Sequence, residues 1–418
     1  MGEVSVGGSF LPLPCGALPY PCTRSLALWV RTRKKRVRHF DHLDPAVRQE
    51  LFYLDPAEFN RDSGIDLLAS ALGATLYVPG TRENLVAAIH RRAKAGVRSI
   101  VIDLEDAVED SRVDEAMSHA IAAITELSQT GIDAMLFIRV RTAEHIQELS
   151  DRLTDARALY GFVIPKFSPW TGQAFLDAAV ECGVAHGLRM LVMPVIETPE
   201  AIYRESRNAT LAGIRELLNR YRDNVLAVRF GATDLCGLFG IRRERDLTIY
   251  DVKVVADLIS DTVNHLGRGD DSSFLITGPV WEYFATHERL FRPQLRTTPF
   301  MDHDAQALRH SLITKDFDDL IREALLDRAN GLHGKTVIHP SHVAPIHALS
   351  VISFEEYTDA VEILESGTGA KASTYRDKMN EAGPHRYWAE QVLRRASAFG
   401  VASEQTSFVD VLSALVSA

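Results

Sequence analysis

From residue 73 to about 350, eight short and nearly continuous apolar runs alternate with amphipathic stretches, and polar residues follow almost every run. Together these observations predict an α/β fold of the (β/α)8 class, a TIM barrel. Such a barrel takes about 250 residues, so three parts fall outside it. They are an N-terminal extension (41–72), a long insertion before the last strand and C-terminal helices (351–418). Residues 1–40 form a fourth part, expected to be a disordered basic tail.

The elements follow in order. Residues 1–30 are rich in Gly, Pro and small residues and lead into Arg31, Arg33, Lys34, Lys35, Arg36 and Arg38. A secretory signal places its charges before the apolar stretch, whereas here they follow one broken by Pro12, Pro14, Pro19 and Pro21. Strands are expected near 74–78, 99–103, 135–140, 161–165, 189–196, 225–230, 273–277 and 336–338. Their runs are mostly continuously apolar rather than alternating, which suits parallel strands covered on both faces. Helical spacing predicts helices near 83–95, 113–129, 143–156, 172–182, 199–220 and 249–266. Between the seventh and eighth strands lies an insertion at 279–333, carrying Trp281, Phe284, Phe291 and Phe300 and, from Asp316 to Ala329, a further helix. Two more helices are expected at 355–366 and 385–399.

Composition narrows the partners. The 418 residues are 24% charged and 46% hydrophobic, the balance of a folded globular protein. The net charge of −10 argues against nucleic acid or an anionic membrane as the main partner. No stretch approaches the roughly 18 apolar residues of a membrane span. Cys15, Cys22, Cys182 and Cys236 show neither zinc-site pairing nor disulfide density, which fits a cytoplasmic location.

In this barrel class the active site sits at the C-terminal ends of the strands. There the sequence places Asp103, Glu105 and Asp106 after the second run, Arg139 and Arg141 after the third, Lys166 after the fourth, Glu197 and Thr198 after the fifth, Asp234 after the sixth and His339 after the eighth. Glu197 and Asp234 follow adjacent strands, so both carboxylates can reach one point. Their repulsion is relieved by a divalent cation, and Mg²⁺ suits two carboxylates with its other positions left to water and substrate. Glu105 and Asp106 could orient those waters, or these acids could simply cap helices and pair with arginines. Residues two apart on a strand share a face, so Arg139 and Arg141 are expected to point inward. Arg139 would then stabilise a developing oxyanion and Arg141 a substrate anion, unless both pair with Glu105 or Asp106. Lys166 could bind an anion or serve as a Schiff-base amine, and His339 could be an acid or base or a structural residue. The segment Gly331 to Thr336 imitates a phosphate loop, but Ala329 stands where that motif needs glycine and a strand follows instead of a helix.

The ordered set Leu76–Arg82 (LYVPGTR), Val101–Val108 (VIDLEDAV), Ile138–Val140, Ile164–Lys166, Val195–Thr198 (VIET), Gly231–Leu235 (GATDL) and Gly334–Pro340 (GKTVIHP) resembles the citrate lyase β-subunit-like family. This belongs to the wider HpcH/HpaI aldolase group, which includes malyl-CoA lyases. The resemblance covers about 73–350. The extension and the long insertion resemble a branch of carbon–carbon bond lyases associated with tellurite-resistance gene clusters. The resemblance implies a Mg²⁺-dependent lyase with Glu197 and Asp234 as metal ligands and Arg139 stabilising an enolate. From their places on the rim, Glu105 and Asp106 are expected to be catalytic with Arg139, and Arg141, Lys166, Thr198 and His339 to bind substrate. The substrate would be a small 2-oxo or hydroxy acid or its acyl thioester, and a homo-oligomer is expected. Many relatives carry Arg-Val-Asn where this chain has Arg139-Val140-Arg141, so use of CoA does not carry over directly. The competing readings are a hydrolase or transferase with the same enolate chemistry, and a non-catalytic barrel subunit of a biosynthetic complex.

Overall fold

The apolar runs assemble into a sheet that positions the polar residues behind them. The computed structural model describes residues 36–270, 272–284, 317–367, 369–375 and 377–418. After β1 (Phe52–Leu54) in the N-terminal extension come β2 (Ala74–Pro79), β3 (Ser99–Asp103), β4 (Met135–Arg139), β5 (Leu159–Ile164), β6 (Leu191–Ile196), β7 (Arg229–Phe230) and β8 (Lys335–Val337). The last seven form one parallel sheet in the order β7-β6-β5-β4-β3-β2-β8. Helices on its outer face connect successive strands, as in a TIM barrel. Between β5 and β6 the backbones approach so closely that a Cβ on Gly161 would lie 1.7 Å from the Leu191 carbonyl oxygen.

The seventh predicted strand, 273–277, is replaced by isolated pairings. Segment 273–278 joins the sheet edges through the parallel bridges Val228–Ile276 and Gly278–Lys335. Val228 N–H donates to the Leu275 carbonyl at 2.8 Å, and Thr336 N–H to that of Gly278 at 3.1 Å. Pro279 has no N–H to extend this ladder. The run at 225–230 likewise shortens to Arg229–Phe230, with Val225 only bridging Val192. The helix predicted over 199–220 divides into Pro199–Ile202 and Arg204–Arg220 around an extended Tyr203. There the Ser206 hydroxyl donates to the Glu200 carbonyl at 2.9 Å, a side-chain bond that competes with the helical ladder.

Apolar packing forms two layers. One lies between sheet and helices and includes Ile100, Ile102, Leu136, Ile138, Phe162 and Ile164, all fully buried. The other fills the barrel: Val101, Phe137, Val163 and Met193 point inward, period two from the first set, and meet Phe59, Leu68, Leu72 and Phe399. The extension and the C-terminal part therefore close the N-terminal end of the barrel together. β1 also pairs antiparallel with the short strand Val401–Ala402. Residues 35–418 make one compact unit. The expected basic tail lies outside the described residues up to position 35, as do Cys15, Cys22, Phe291 and Phe300 of the sequence reading.

A buried ionic network docks helix Phe317–Ala329 on β8. Lys335 Nζ lies 2.8 Å from Glu323 Oε1 and 2.6 Å from Asp327 Oδ2, with none of the three side chains more than 3% exposed. Arg243 pairs with the other Glu323 oxygen, Ile249 N–H donates to that oxygen at 2.7 Å, and Tyr250 OH donates to Asp327 at 2.9 Å. The lysine of the false phosphate loop thus has a structural task. Among the described residues no helix is long and apolar enough to cross a membrane.

Candidate active site

At the C-terminal end of the sheet, neighbouring strand ends bring opposite charges into contact. Asp103 and Arg139 are register partners at the ends of β3 and β4. Arg139 Nε and Nη2 donate to the two Asp103 carboxylate oxygens, both at 2.6 Å. This bidentate pair fixes the guanidinium plane. Its Nη1 lies 2.7 Å from Glu105 and 2.9 Å from Asp106. Burial alone would lower the Arg139 pKa, but Asp103, Tyr77 and Glu105 outweigh it and hold the guanidinium above its ordinary value. Burial pushes Glu105 up against the pull of Arg139 and Lys166. Asp106 goes the other way: burial raises it, but Arg139, a Glu105 hydrogen bond and Lys166 together bring it down.

Lys166 links this group to the next strand. Its φ of 46° is left-handed, a conformation that costs a non-glycine residue about 1–2 kcal/mol. That turn aims its backbone N–H at Glu197 Oε1, 2.7 Å away. Its ammonium pairs with Glu105 and lies 4.0 Å from both Asp106 Oδ1 and Asp234 Oδ1. Glu197, just after β6, is 4% exposed. Burial first, then Asp234 and Glu105, push its carboxyl up to about 8 despite the Lys166 N–H. Asp234, in the short helix Ala232–Gly237, is also pushed up, by burial and by Asp106. The Glu197 carboxylate fits only because residue 231 is glycine: a Cβ there would sit 1.8 Å from Oε2.

Asp103, Asp106, Arg139, Glu197 and Asp234 line a cleft of about 670 Å³ with Tyr77, Val195, Arg229, Phe230, Thr336 and Ile338 among its other walls. Glu197 and Asp234 are two crowded carboxylates whose charged forms disfavour each other, a donor set that fits a hard dication. No group of three or more His, Cys, Asp or Glu able to hold a metal occurs among the described residues. The pair fits Mg²⁺, which needs only one or two protein carboxylates.

The sequence candidates thus divide. Arg139, Asp106, Glu197 and Asp234 line the cleft, with Glu105 and Lys166 bonded to them. Arg141 does not join them, because β4 ends at Arg139 and strand alternation carries no further. Its Nε donates to the Leu104 carbonyl at 2.8 Å and Nη2 to that of Glu105 at 3.1 Å and also to that of Val108, while Nη1 pairs with Asp110. Arg141 therefore straps the loop after β3 and lies outside the cleft lining. Thr198 starts helix Pro199–Ile202, and its buried hydroxyl has no partner and lies outside the cleft lining. His339 also lies outside the lining: its ring stacks on Phe284 at 4.9 Å, Nδ1 meets Ser341 Oγ at 2.6 Å, and Ile338 faces the cleft instead. Tyr77, Asp103, Arg229 and Thr336 line the cleft as well, without a role expected from the sequence. The available signal was a charged residue, Arg229, inside an otherwise apolar strand.

A family model described as carbon–carbon bond lyase of the TIM-barrel fold matches residues 66–401. Among solved structures, a citrate lyase from Burkholderia xenovorans LB400 is similar at 17% identity over 82% of this chain and 96% of that one, with a TM-score of 0.57. The protein CitE from Mycobacterium tuberculosis, in complex with magnesium, acetoacetate and coenzyme A, is similar at 18% identity over 78% and 99%, with a TM-score of 0.50. At these identities the likeness is one of fold. No curated protein matches the chain.

Proposed function

This chain belongs to the carbon–carbon bond lyases of the TIM-barrel fold, and we propose that it is a Mg²⁺-dependent member that cleaves or forms a carbon–carbon bond in a small 2-oxo or hydroxy acid or its acyl thioester. The observation that carries this reading is that Glu197 and Asp234 line one cleft, where burial first and then Asp234 and Glu105 push the Glu197 carboxyl up. A bound dication removes that penalty. Glu197 and Asp234 would hold Mg²⁺, which when bound supplies Lewis acidity toward substrate oxygens.

The chain's own residues supply the rest. Asp103 clamps Arg139 through two nitrogens, so the guanidinium meets the negative charge of an enolate without reorganising. Glu105, pushed up by burial, is the carboxyl placed to hold or deliver a proton beside Arg139. Asp106, held down, keeps its charge and balances the two cations. The Lys166 N–H orients Glu197, while its ammonium offers charge at the cleft edge. The carbon skeleton would pack against Val195, Phe230 and Ile338. The CitE complex with acetoacetate and coenzyme A motivates the thioester alternative.

Calorimetric titration of Mg²⁺ into the full chain tests the metal assignment. Binding by the wild type and a loss of about tenfold or more in Glu197→Gln are expected. A wild type that binds no Mg²⁺ refutes the proposal, and an unchanged Glu197→Gln variant refutes the assignment of that ligand.

A further inference from the structure

We propose that Arg229, at the floor of the cleft, is the seat for a second, remote carboxylate of the substrate, so that this lyase acts on a small dicarboxylic acid. The inference deepens the lyase reading and rests on it for the site's occupant. Arg229 is 1% exposed and lines the cleft with Thr336 and Tyr77. Its Nη2 donates to Thr336 Oγ1 at 2.5 Å, and Nη1 lies 3.4 Å from Thr75 Oγ1 and 3.6 Å from Met193 Sδ. Every one of these partners is uncharged. Its Nε is buried with no acceptor at all.

The other buried arginines are better supplied. Arg207 has Asp261, Arg243 has Glu323, and Arg98, which has no ion pair among the described residues either, donates to the carbonyls of Arg38, Ala93, Val97 and Asp133; the half-buried Arg139 has Asp103. Among the described residues no carboxylate forms an ion pair with Arg229. Arginine stays protonated in proteins, and a buried charge without a counter-charge is costly. Burial holds the Arg229 pKa below its ordinary value against the opposing pull of the Tyr77 side chain, and Arg139 lowers it further. The two guanidinium carbons lie 5.3 Å and 5.8 Å from the Tyr77 ring centre, so the cleft holds two cations around one aromatic ring. Arg139 is neutralised by its acids, whereas Arg229 is not. A carboxylate matches the fork that Nε and Nη present. The anionic seat that the sequence suggested at Arg141 is thereby replaced by one on β7, since Arg141 is spent on loop carbonyls. A substrate spanning the cleft would place its reacting end by Glu197 and Asp234 and its far carboxylate on Arg229.

The test uses racemic malate and racemic lactate, which differ by one remote carboxylate, titrated calorimetrically into the full chain with Mg²⁺ and again in EDTA. Malate is expected to bind about tenfold or more tightly than lactate. Arg229→Met should abolish that preference by weakening malate binding more than lactate binding. Arg229→Lys, which keeps the charge but not the fork, should lose most of it and serves if the methionine variant does not fold. Equal binding of the two acids, no malate binding, or a preference that survives both substitutions overturns the proposal. Mg²⁺ binding without a malate preference defeats the carboxylate seat alone. A malate preference in EDTA in a chain that binds no Mg²⁺ defeats the lyase reading and leaves the seat standing.

Discussion

Replacing Lys335 with methionine isolates the network that holds the last strand in place. The ammonium is fully buried between Glu323 Oε1 at 2.8 Å and Asp327 Oδ2 at 2.6 Å. Methionine fills much of its volume but leaves two buried acids with one fewer cation. Breaking a buried pair in this way costs about 3–5 kcal/mol. Glu323 keeps Arg243 and the Ile249 N–H, so most of the loss falls on Asp327, whose carboxyl burial already pushes up to about 6. With an unfolding entropy of about 2.1 cal/mol/K per residue, the 418-residue chain loses about 3–6 °C in thermal midpoint. Scanning calorimetry at neutral pH reads this directly. Adding Asp327→Asn should restore part of the loss, because asparagine still accepts from Tyr250 OH and carries no charge. A Lys335→Met midpoint within about 1 °C of the wild type, or a double variant no more stable than the single one, would refute the reasoning.

Two further perturbations address the site and the opposite end of the barrel. Gly231→Ala places a Cβ 1.8 Å from Glu197 Oε2 at an ordinary backbone φ of −95°, so Glu197 must move. Mg²⁺ affinity by calorimetry is expected to fall about tenfold or more with the circular dichroism spectrum unchanged, and an unaltered affinity contradicts the proposed ligand. His39, buried against His347 with Nε2 2.9 Å from the Ala71 carbonyl, is held down to about 3 by burial, with Arg98 and His42 adding to the shift. Because its folded pKa lies below the ordinary 6.5, the stability it permits is present above that value and is lost as pH falls toward 3. At pH 4.5, two units below 6.5, the cost is about 2.7 kcal/mol. His39→Gln, which can still donate to Ala71, should flatten the fall in thermal midpoint between pH 7 and pH 4.5 by about 3 °C. Parallel pH profiles for the two chains would count against a neutral buried imidazole.

The parallel strands and their order along the chain were legible because period and polarity are local properties. Runs such as 100–102 and 135–138 are apolar over their whole length, and β3 and β4 contain them. Polar residues that follow apolar runs meet at one end of a parallel sheet as a matter of topology, so Glu105, Asp106, Arg139, Lys166, Glu197 and Asp234 converge. The fate of Arg141 was not legible. Its two-residue spacing from Arg139 holds only while the strand continues, and β4 stops one residue earlier than the last apolar position. Segment 273–277 has the composition of a strand, yet whether it forms a ladder depends on partners at Val228 and Lys335, far away in sequence.

What the amino-acid order determined by itself was the repeating unit, the faces each strand would bury and the set of ionisable groups at the rim. Only the tertiary structure decided which charges neutralise one another. Arg139 finds Asp103, Lys335 finds Glu323 and Asp327, and Arg229 finds only hydroxyls and a thioether. Ion pairing falls off with distance in space and depends on burial, whereas a sequence records neither until the barrel has closed.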